Sequence, residues 1–410
     1  MKKQIIISVS ILVCLILGTI AVILYGKGYR FGLTNEGKPN LSSTGLLVVT
    51  SNPNGAQVFI DGILQTATDN TISLFPGNYS VRIFKEGYFP WQKQIKVEKE
   101  LVSKAEALLF ATAPKLENIT ASGIENPVID PSMTKIAYKI ASGSAKKNGI
   151  YLLDMNAKLI LTLQSASTQL IDDSLDNFSN AAISFSPDGK ELLATISGTL
   201  KEETTYLLDT SGFNEKPQDV TLSLSTVENS WLKDKEEKEK SRYNSLRQTL
   251  QKVFSQNFEV LSWSPDENKI LYEASASATL PIIINPRLPD SNLIDEQRAI
   301  KKESIYVYDL KEDKNFKVLN SLSVTCKPER TQIKYCYLPL NWLSDSKHLL
   351  YTHDKKIEIM DYDGTNSATV YAGPFMNNYV FPWTNVSKVL ILTNLNNPSI
   401  APNLYTIELK

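Results

Sequence analysis

The chain has 410 residues, too many for one small core, so two or three domains are the natural division. Hydrophobic residues make up 42% and charged residues 21%, the proportions of a folded chain, which excludes wholesale disorder. With 43 basic against 44 acidic side chains the net charge is -1, so no global field draws the protein to nucleic acid or to an acidic membrane surface.

After Lys2 and Lys3 the chain reads "IIISVSILVCLILGTIAVILY", uncharged from Ile5 to Tyr25. About twenty such residues at 1.5 Å per residue cross a hydrocarbon core of about 30 Å, so residues 5–25 read as a single-pass anchor. A cleaved signal peptide would show a shorter apolar run and a small-residue cleavage site. A lipid-modified Cys14 would want a small residue where Val13 stands, and the apolar run continues past it. Lys2 and Lys3 on one side nearly balance Lys27 and Arg30 on the other, so the positive-inside rule does not orient the anchor. Cys326 and Cys336, bracketing "KPERTQIKY", do so instead: two cysteines at hairpin distance suit a disulfide, which persists outside the cytoplasm. The reading is a cytoplasmic tail at residues 1–4 and an extracytoplasmic body. The alternative for the pair is two reduced, buried thiols.

Residues 26–43 include "FGLTNEGKPNLSS", polar and stalk-like. Short alternating runs follow over residues 44–110: "LLVVT", "AQVFID", "YSVRIF" and "KQIKV", separated by N-P-N-G, D-G and P-G-N turns. Phe59, Tyr79, Phe84, Tyr88 and Trp91 would fill a small β-sandwich. The stretch resembles a PEGA domain through three clusters in that family's order. They are Pro53, Gly55, Ala56, Val58, Ile60, Asp61 and Gly62; then Pro76, Gly77, Tyr79 and Val81; then Lys85, Glu86, Gly87 and Tyr88. Asn54 stands where the motif has Glu, and "LQTATDN" replaces a Gly-x-Thr-Pro turn; both departures fall in turns. The resemblance implies a tethered module near the cell envelope. Asp61 and Lys85 read as solvent-facing turn residues.

The remainder, residues 111–410, repeats two phrases. The first is "VIDPSMTKIAYKI", "SFSPDGKELLATI", "LSWSPDENKILYEA", "LNWLSDSKHLLYTH" and "FPWTNVSKVLILT". In each, an apolar residue (Ile129, Phe185, Trp263, Trp342, Trp383) precedes a polar turn bearing, in the first four, Asp130, Asp188, Asp266 or Asp345. Lys135, Lys190, Lys269, Lys347 or Lys388 then opens an apolar strand. The second phrase is "IYLLD", "TYLLD", "IYVYD", "IEIMD" and "LYTIE". Three or four strands repeated about every 40 residues are a propeller blade, which buries both faces only by stacking on its neighbours. The units resemble TolB-type, WD40-like blades, with Ser186 to Lys190 and Ser264 to Asp266 matching best. That resemblance implies a binding platform and carries over no catalytic residue.

The expected fold class is therefore all-β with one N-terminal transmembrane helix, a PEGA-like β-sandwich and a β-propeller of about five blades, six being possible. The last unit reaches Lys410 without an outer strand, and "PKLENIT" (114–120) precedes the first unit. Pairing between them would close the ring. Two inserts break the period. Residues 225–258 are helical, with Tyr243, Leu246, Leu250 and Val253 on one face and "KDKEEKEK" solvated; residues 275–303 are loop-like, with room for an irregular sixth blade.

No catalytic, cofactor or metal residue is assigned. A propeller peptidase would need a G-x-S-x-G elbow and a later His; a sialidase turn would place Gly189 one position later. The two histidines, His348 and His353, share one hairpin without further ligands at suggestive spacing. "DYDGTN" (361–366) lacks the Glu of a calcium loop, and Asp172–Asp173 lies in a polar loop. The functional reading is a non-enzymatic, membrane-anchored extracytoplasmic binding or scaffold protein whose partner is an envelope protein or a cell-wall glycan, with no nucleic acid and no cofactor. The alternatives are a propeller hydrolase of envelope polysaccharide and a docking subunit that uses the 225–258 helix.

Overall fold

The computed structural model describes residues 2–26, 28–33, 39–156, 167–198, 202–288, 292–322, 325–326, 336–376 and 379–410. Helix α1, Lys2–Gly26, contains an apolar span, Val9–Gly26, of mean hydropathy 2.6, long enough to cross a membrane. Within the stretch expected as a stalk, Tyr29–Leu33 pairs antiparallel with Pro39–Ser43. The chain divides into two compact units: residues 1–110 with Ile284–Asp295, and Ala111–Ile283 with Glu296–Lys410. Part of the 275–303 insert thus groups with the first unit rather than the second.

The first unit holds two facing sheets. One is ordered Asn70–Leu74, Gly45–Asn52, Val102–Leu108, the last two parallel; the other is Ile63–Ala67, Gln57–Ile60, Gly77–Phe84, Trp91–Val97. Alternation sets the core: Leu47, Val49, Val58, Ile60, Val81, Ile83, Trp91 and Ile95 are buried between the sheets, whereas the edge strands Ile63–Ala67 and Asn70–Leu74 bury no residue fully. Asp61 (φ 50°) and Gly62 (φ 81°) make the tight hairpin turn, where left-handed backbone favours Asp and Gly. Gly55 and Gly87 are also left-handed, and Ala56 is buried between the sheets.

The second unit is built of five four-stranded antiparallel sheets. Blade one is Glu125–Ile129, Lys135–Ile140, Gly149–Asp154, Ser167–Asp172, and blade two is Ala182–Phe185, Glu191–Ser197, Glu203–Asp209, Gln218–Asp219. Blade three is Phe258–Trp263, Lys269–Ala274, Ile305–Asp309, Lys314–Leu319, and blade four is Leu340–Trp342, His348–His353, Lys356–Asp361, Ala368–Ala372. Blade five joins Val380–Pro382, Lys388–Thr393 and Asn403–Glu408 to a strand from the far end of the unit, Leu116–Asn118. That strand supplies the outer edge, and Lys388 Nζ ties it down at 3.0 Å from Glu117 while also lying 3.5 Å from Glu408. Here the second strands are buried on both faces, as stacked sheets require, in contrast to the alternation of the first unit.

Blade-to-blade packing follows the two faces of each second strand. Ile136 and Tyr138 of blade one meet Leu390 and Leu392 of blade five, while Ala137 meets Leu192 and Ala194 of blade two. Leu271 of blade three meets Leu340 and Leu349 of blade four. The remaining faces of blades two and three are covered by the helical insert. It is two helices, α2 (Leu224–Ser245) and α3 (Gln248–Asn257), broken where Leu246 turns extended. Trp231 of α2 packs on Leu193 and Leu207 of blade two. Leu250 and Phe254 of α3, with Tyr243, Leu246 and Val253, pack on Ile270, Tyr272, Tyr306 and Tyr308 of blade three. The insert therefore stands in the place of a sixth sheet. Among the described residues the loop insert forms a two-stranded pair, Ala278–Thr279 with Ala299–Ile300, and its Leu280 and Ile300 join the same apolar cluster on blade three.

Candidate functional site: the axial cavity and its turns

The turn between first and second strand is the recurring element, and hydrogen bonds explain its composition. Ser186 Oγ donates to Asp188 (2.7 Å) and accepts from the Glu191 N–H (3.0 Å). Ser264 does the same with Asp266 (2.6 Å) and the Lys269 N–H (2.9 Å). Burial pushes the Asp266 carboxyl upward, but bonds from Ser264 and Asn268 and the charge of Lys269 bring it down to about 2. Asp130 occupies the serine position, not that of Asp188 and Asp266: it accepts from the Thr134 and Lys135 N–H groups and from Ser132, so serine and aspartate are exchanged in blade one. Asp345 accepts from the Lys347 N–H (3.0 Å) and holds His348. All four are turn-holding groups.

The residue opening each second strand faces the acid ending the third: Lys135 with Asp154, Glu191 with Asp209, Lys269 with Asp309, His348 with Asp361, Lys388 with Glu408. In blades two and four that residue is Glu191 and His348, one position past Lys190 and Lys347. His348 is buried between Asp345 (2.6 Å) and Asp361 (3.2 Å); burial lowers its basicity, but the two carboxylates raise its pKa to about 9. The cations also reach the next blade: Lys135 Nζ lies 3.2 Å from Thr210 Oγ1, and Lys269 Nζ sits 4.8 Å from the Tyr362 ring centre. Glu191 alone breaks the pattern, accepting from Trp231 Nε1 of α2 at 3.3 Å. No signal in the sequence marked this contact, because Trp231 sits beside the charged "KDKEEKEK" run.

The turns of blades one, three, four and five converge with α2 around a cavity of about 370 Å³. Trp263, Trp342 and Trp383 all line it. Trp263 and Trp342 hold equivalent places, opposite Ile270 and Leu349; Trp383 stands one position later, with Pro382 opposite Val389. Trp342 is fully buried and its Nε1–H has no partner among the described residues; Trp383 is 6% exposed. Lys238 and Arg242, one helical turn apart on α2, add two cations. Arg242 is held by Glu267 (2.6 Å) and lies 5.6 Å from the Trp263 ring centre. The fourth turn position is left-handed in four blades: Met133 (φ 57°), Gly189 (φ 71°), Glu267 (φ 57°) and Ser346 (φ 59°). Met133 and Glu267, which keep side chains there against a cost of roughly 1–2 kcal/mol, both line the cavity.

Elsewhere, Asp61 accepts the Ser80 N–H (2.9 Å), and Lys85 donates to the Asn54 carbonyl, so both brace turns of the first unit. Pro53 follows the strand Gly45–Asn52, Pro76 and Gly77 open the strand Gly77–Phe84, and Tyr88 packs against the core. Cys326 and Cys336 are backbone partners in a short antiparallel pair. Their side chains, and so the bond expected between them, lie outside the described residues. His353 lies 3.2 Å from Asp354, and among the described residues no group of three His, Cys, Asp or Glu is placed to hold a metal.

Residues 44–109 match the PEGA domain, so the first unit contains a PEGA module. No curated protein sequence matches the chain. Among solved structures, TolB from Acinetobacter baumannii is 14% identical (TM-score 0.21), over 80% of this chain and 59% of that one. The β-propeller domain of the Trilobed protease from Pyrococcus furiosus is 12% identical (TM-score 0.22), over 89% and 95%. An oligogalacturonate lyase in complex with manganese is 10% identical (TM-score 0.22), over 93% and 96%. Likenesses this distant carry no argument. What makes the second unit a propeller is its five sheets, their face-to-face packing and the strand that completes the fifth.

Proposed function

We propose that the protein is a non-enzymatic, single-pass binding protein of the cell envelope, with its N-terminus in the cytoplasm and the PEGA module and propeller outside. The propeller presents a protein-binding surface at its axial end. One observation supports this reading above the others. The acids and cations of the blades are engaged with one another, from Lys269–Asp309 to the His348 triad, whereas Lys238, on the wall of the axial cavity, has no ion pair among the described residues. Stacked sheets hold that wall in fixed geometry, which lowers the ordering cost of binding.

The test is chemical crosslinking in intact cells followed by capture of the tagged full chain from detergent extract, with isolated wall material assayed in parallel. Recovery of a specific envelope protein is expected. Turnover of envelope polysaccharide by the full chain, abolished by a carboxylate substitution, would establish the hydrolase instead. Protease protection of the PEGA module in spheroplasts would reverse the orientation.

A further inference from the structure

We infer that the end of the PEGA module beside the anchor is seated in the lipid interface of the bilayer, so that the module rides on the membrane instead of swinging on a stalk. The inference rests on the reading of α1 as a single-pass anchor. Gly28 carries the geometry. Its N–H donates to the Tyr25 carbonyl of α1 (3.0 Å), and its carbonyl accepts from the Thr44 N–H (2.9 Å) and hydroxyl (2.8 Å). One residue thus joins the end of the helix to the start of the strand Gly45–Asn52. The expected stalk adds no length, because Tyr29–Leu33 and Pro39–Ser43 fold back on each other between the two joined points. Gly28 is left-handed (φ 83°), and a Cβ there would meet Thr44 Oγ1 at 3.0 Å, so glycine makes a join that another residue would strain.

Apolar surface collects at that join. Leu46, two residues past Thr44, pairs with Val102 in the register, and its N–H donates to the Leu101 carbonyl. Leu46, Leu101 and Val102 are 40%, 42% and 48% exposed, whereas their neighbours Leu47, Val49 and Ala105 face the core. Phe75 follows Leu74, the partner of Gly45, and is 38% exposed. Farther along the same outer face the register sets Lys104 beside Val48 and Glu106 beside Thr50, so the surface turns charged with distance from the join. Two strand residues span at most about 7 Å, and the headgroup layer is roughly 5–8 Å deep on each side of the hydrocarbon core. The apolar end of the face therefore reaches that layer when α1 crosses the bilayer, which makes lipid its occupant. The charges nearby offset one another, Lys96 with Glu98 at 2.6 Å and Lys99 next to Glu100 in sequence, so the contact is apolar burial and not recognition of headgroup charge. Tyr25, exposed at the helix end, adds an amphipathic ring at the same level.

The experiment reconstitutes the full chain in vesicles of phosphatidylcholine, alone and mixed with phosphatidylglycerol. Each carries a phosphatidylcholine with a photoactivatable diazirine at the boundary of headgroup and acyl chain, and lipid adducts are mapped by peptide mass spectrometry. Adducts are expected in α1 and also over residues 45–48 and 99–104, equally in both kinds of vesicle. Leu46→Thr and, separately, Leu101→Ser with Val102→Ser change exposed positions. Each is expected to cut the adducts over 45–48 and 99–104 several-fold while those in α1 and the thermal melt stay as they were. Adducts confined to α1, adducts on the face that survive both variants, or adducts that require phosphatidylglycerol overturn the proposal. So do chain-to-chain crosslinks through Lys99 and Lys104, read with an amine-reactive reagent on the same vesicles, in place of lipid adducts; these would assign the face to a second copy. If α1 takes adducts and the face takes none, the anchor stands and only the seating falls; if α1 itself takes none, the anchor has failed first.

Discussion

Blades two and four share one hairpin plan and solve its charge problem in opposite ways. In blade four the residue opening the second strand is His348, buried and bonded to both Asp345 and Asp361. In blade two the same position is Glu191, which faces another acid, Asp209, in the register and turns away to accept from Trp231 of the insert. Asp209 is left to its own turn, where bonds from the Ser211 hydroxyl and N–H lower its pKa. Blade four closes on itself, whereas blade two is built to receive a neighbour that is not a sheet. The exception in the repeat therefore marks where the repeat is replaced.

The most disruptive way to break this comparison is Trp231→Ala. It removes a buried indole and the partner of Glu191, and a loss of about 3–5 kcal/mol from the propeller is expected by denaturant titration. Glu191→Gln, which keeps an acceptor, is expected to cost far less. Blade four is tested by pH. The folded pKa of His348 is raised from 6.5 to about 9, so its contribution is full below about pH 6.5 and lost as pH rises through 9. The amount at stake is on the order of 3 kcal/mol. His348→Gln is expected to remove that slope and to lower stability at neutral pH, since it leaves the buried Asp361 and the half-buried Asp345 without their shared cation. Met133→Gly is expected to stabilise the propeller by about 1 kcal/mol, by relieving the left-handed strain that a cavity-lining side chain imposes. Glu117→Gln, at the edge of blade five, is expected to cost less than about 1 kcal/mol, because Lys388 keeps Glu408 and the pair is partly exposed.

Much of this architecture was legible. The Asp61–Gly62 turn, the paired phrases of each blade and the strand-like "PKLENIT" each carry a local signal, and the last could be placed because a propeller sheet left open needs an edge. Helical periodicity marked Tyr243, Leu246, Leu250 and Val253 as one face. It could not say that blade three lies under that face, because periodicity reports that a surface is apolar and not what covers it. Register was the other gap. Asp130 sits in the serine position and Trp383 one step past Trp342, offsets that hydrogen bonds reveal and an apolar–turn–lysine pattern does not. Lys238 and Arg242 were invisible as cavity residues, since a mixed-sign run reads as solvated whichever way it faces.

The claim on which the rest depends is that the helical insert does a blade's work between blades two and three. Hydrogen-exchange mass spectrometry of the full chain with and without Leu250→Ala and Trp231→Ala measures it most directly. The expected result is faster exchange in both Glu191–Ser197 and Lys269–Ala274, with the PEGA strands unchanged. Loss of protection confined to α2 and α3, with both blades keeping their native exchange, would show that the helices only decorate a ring that stands without them.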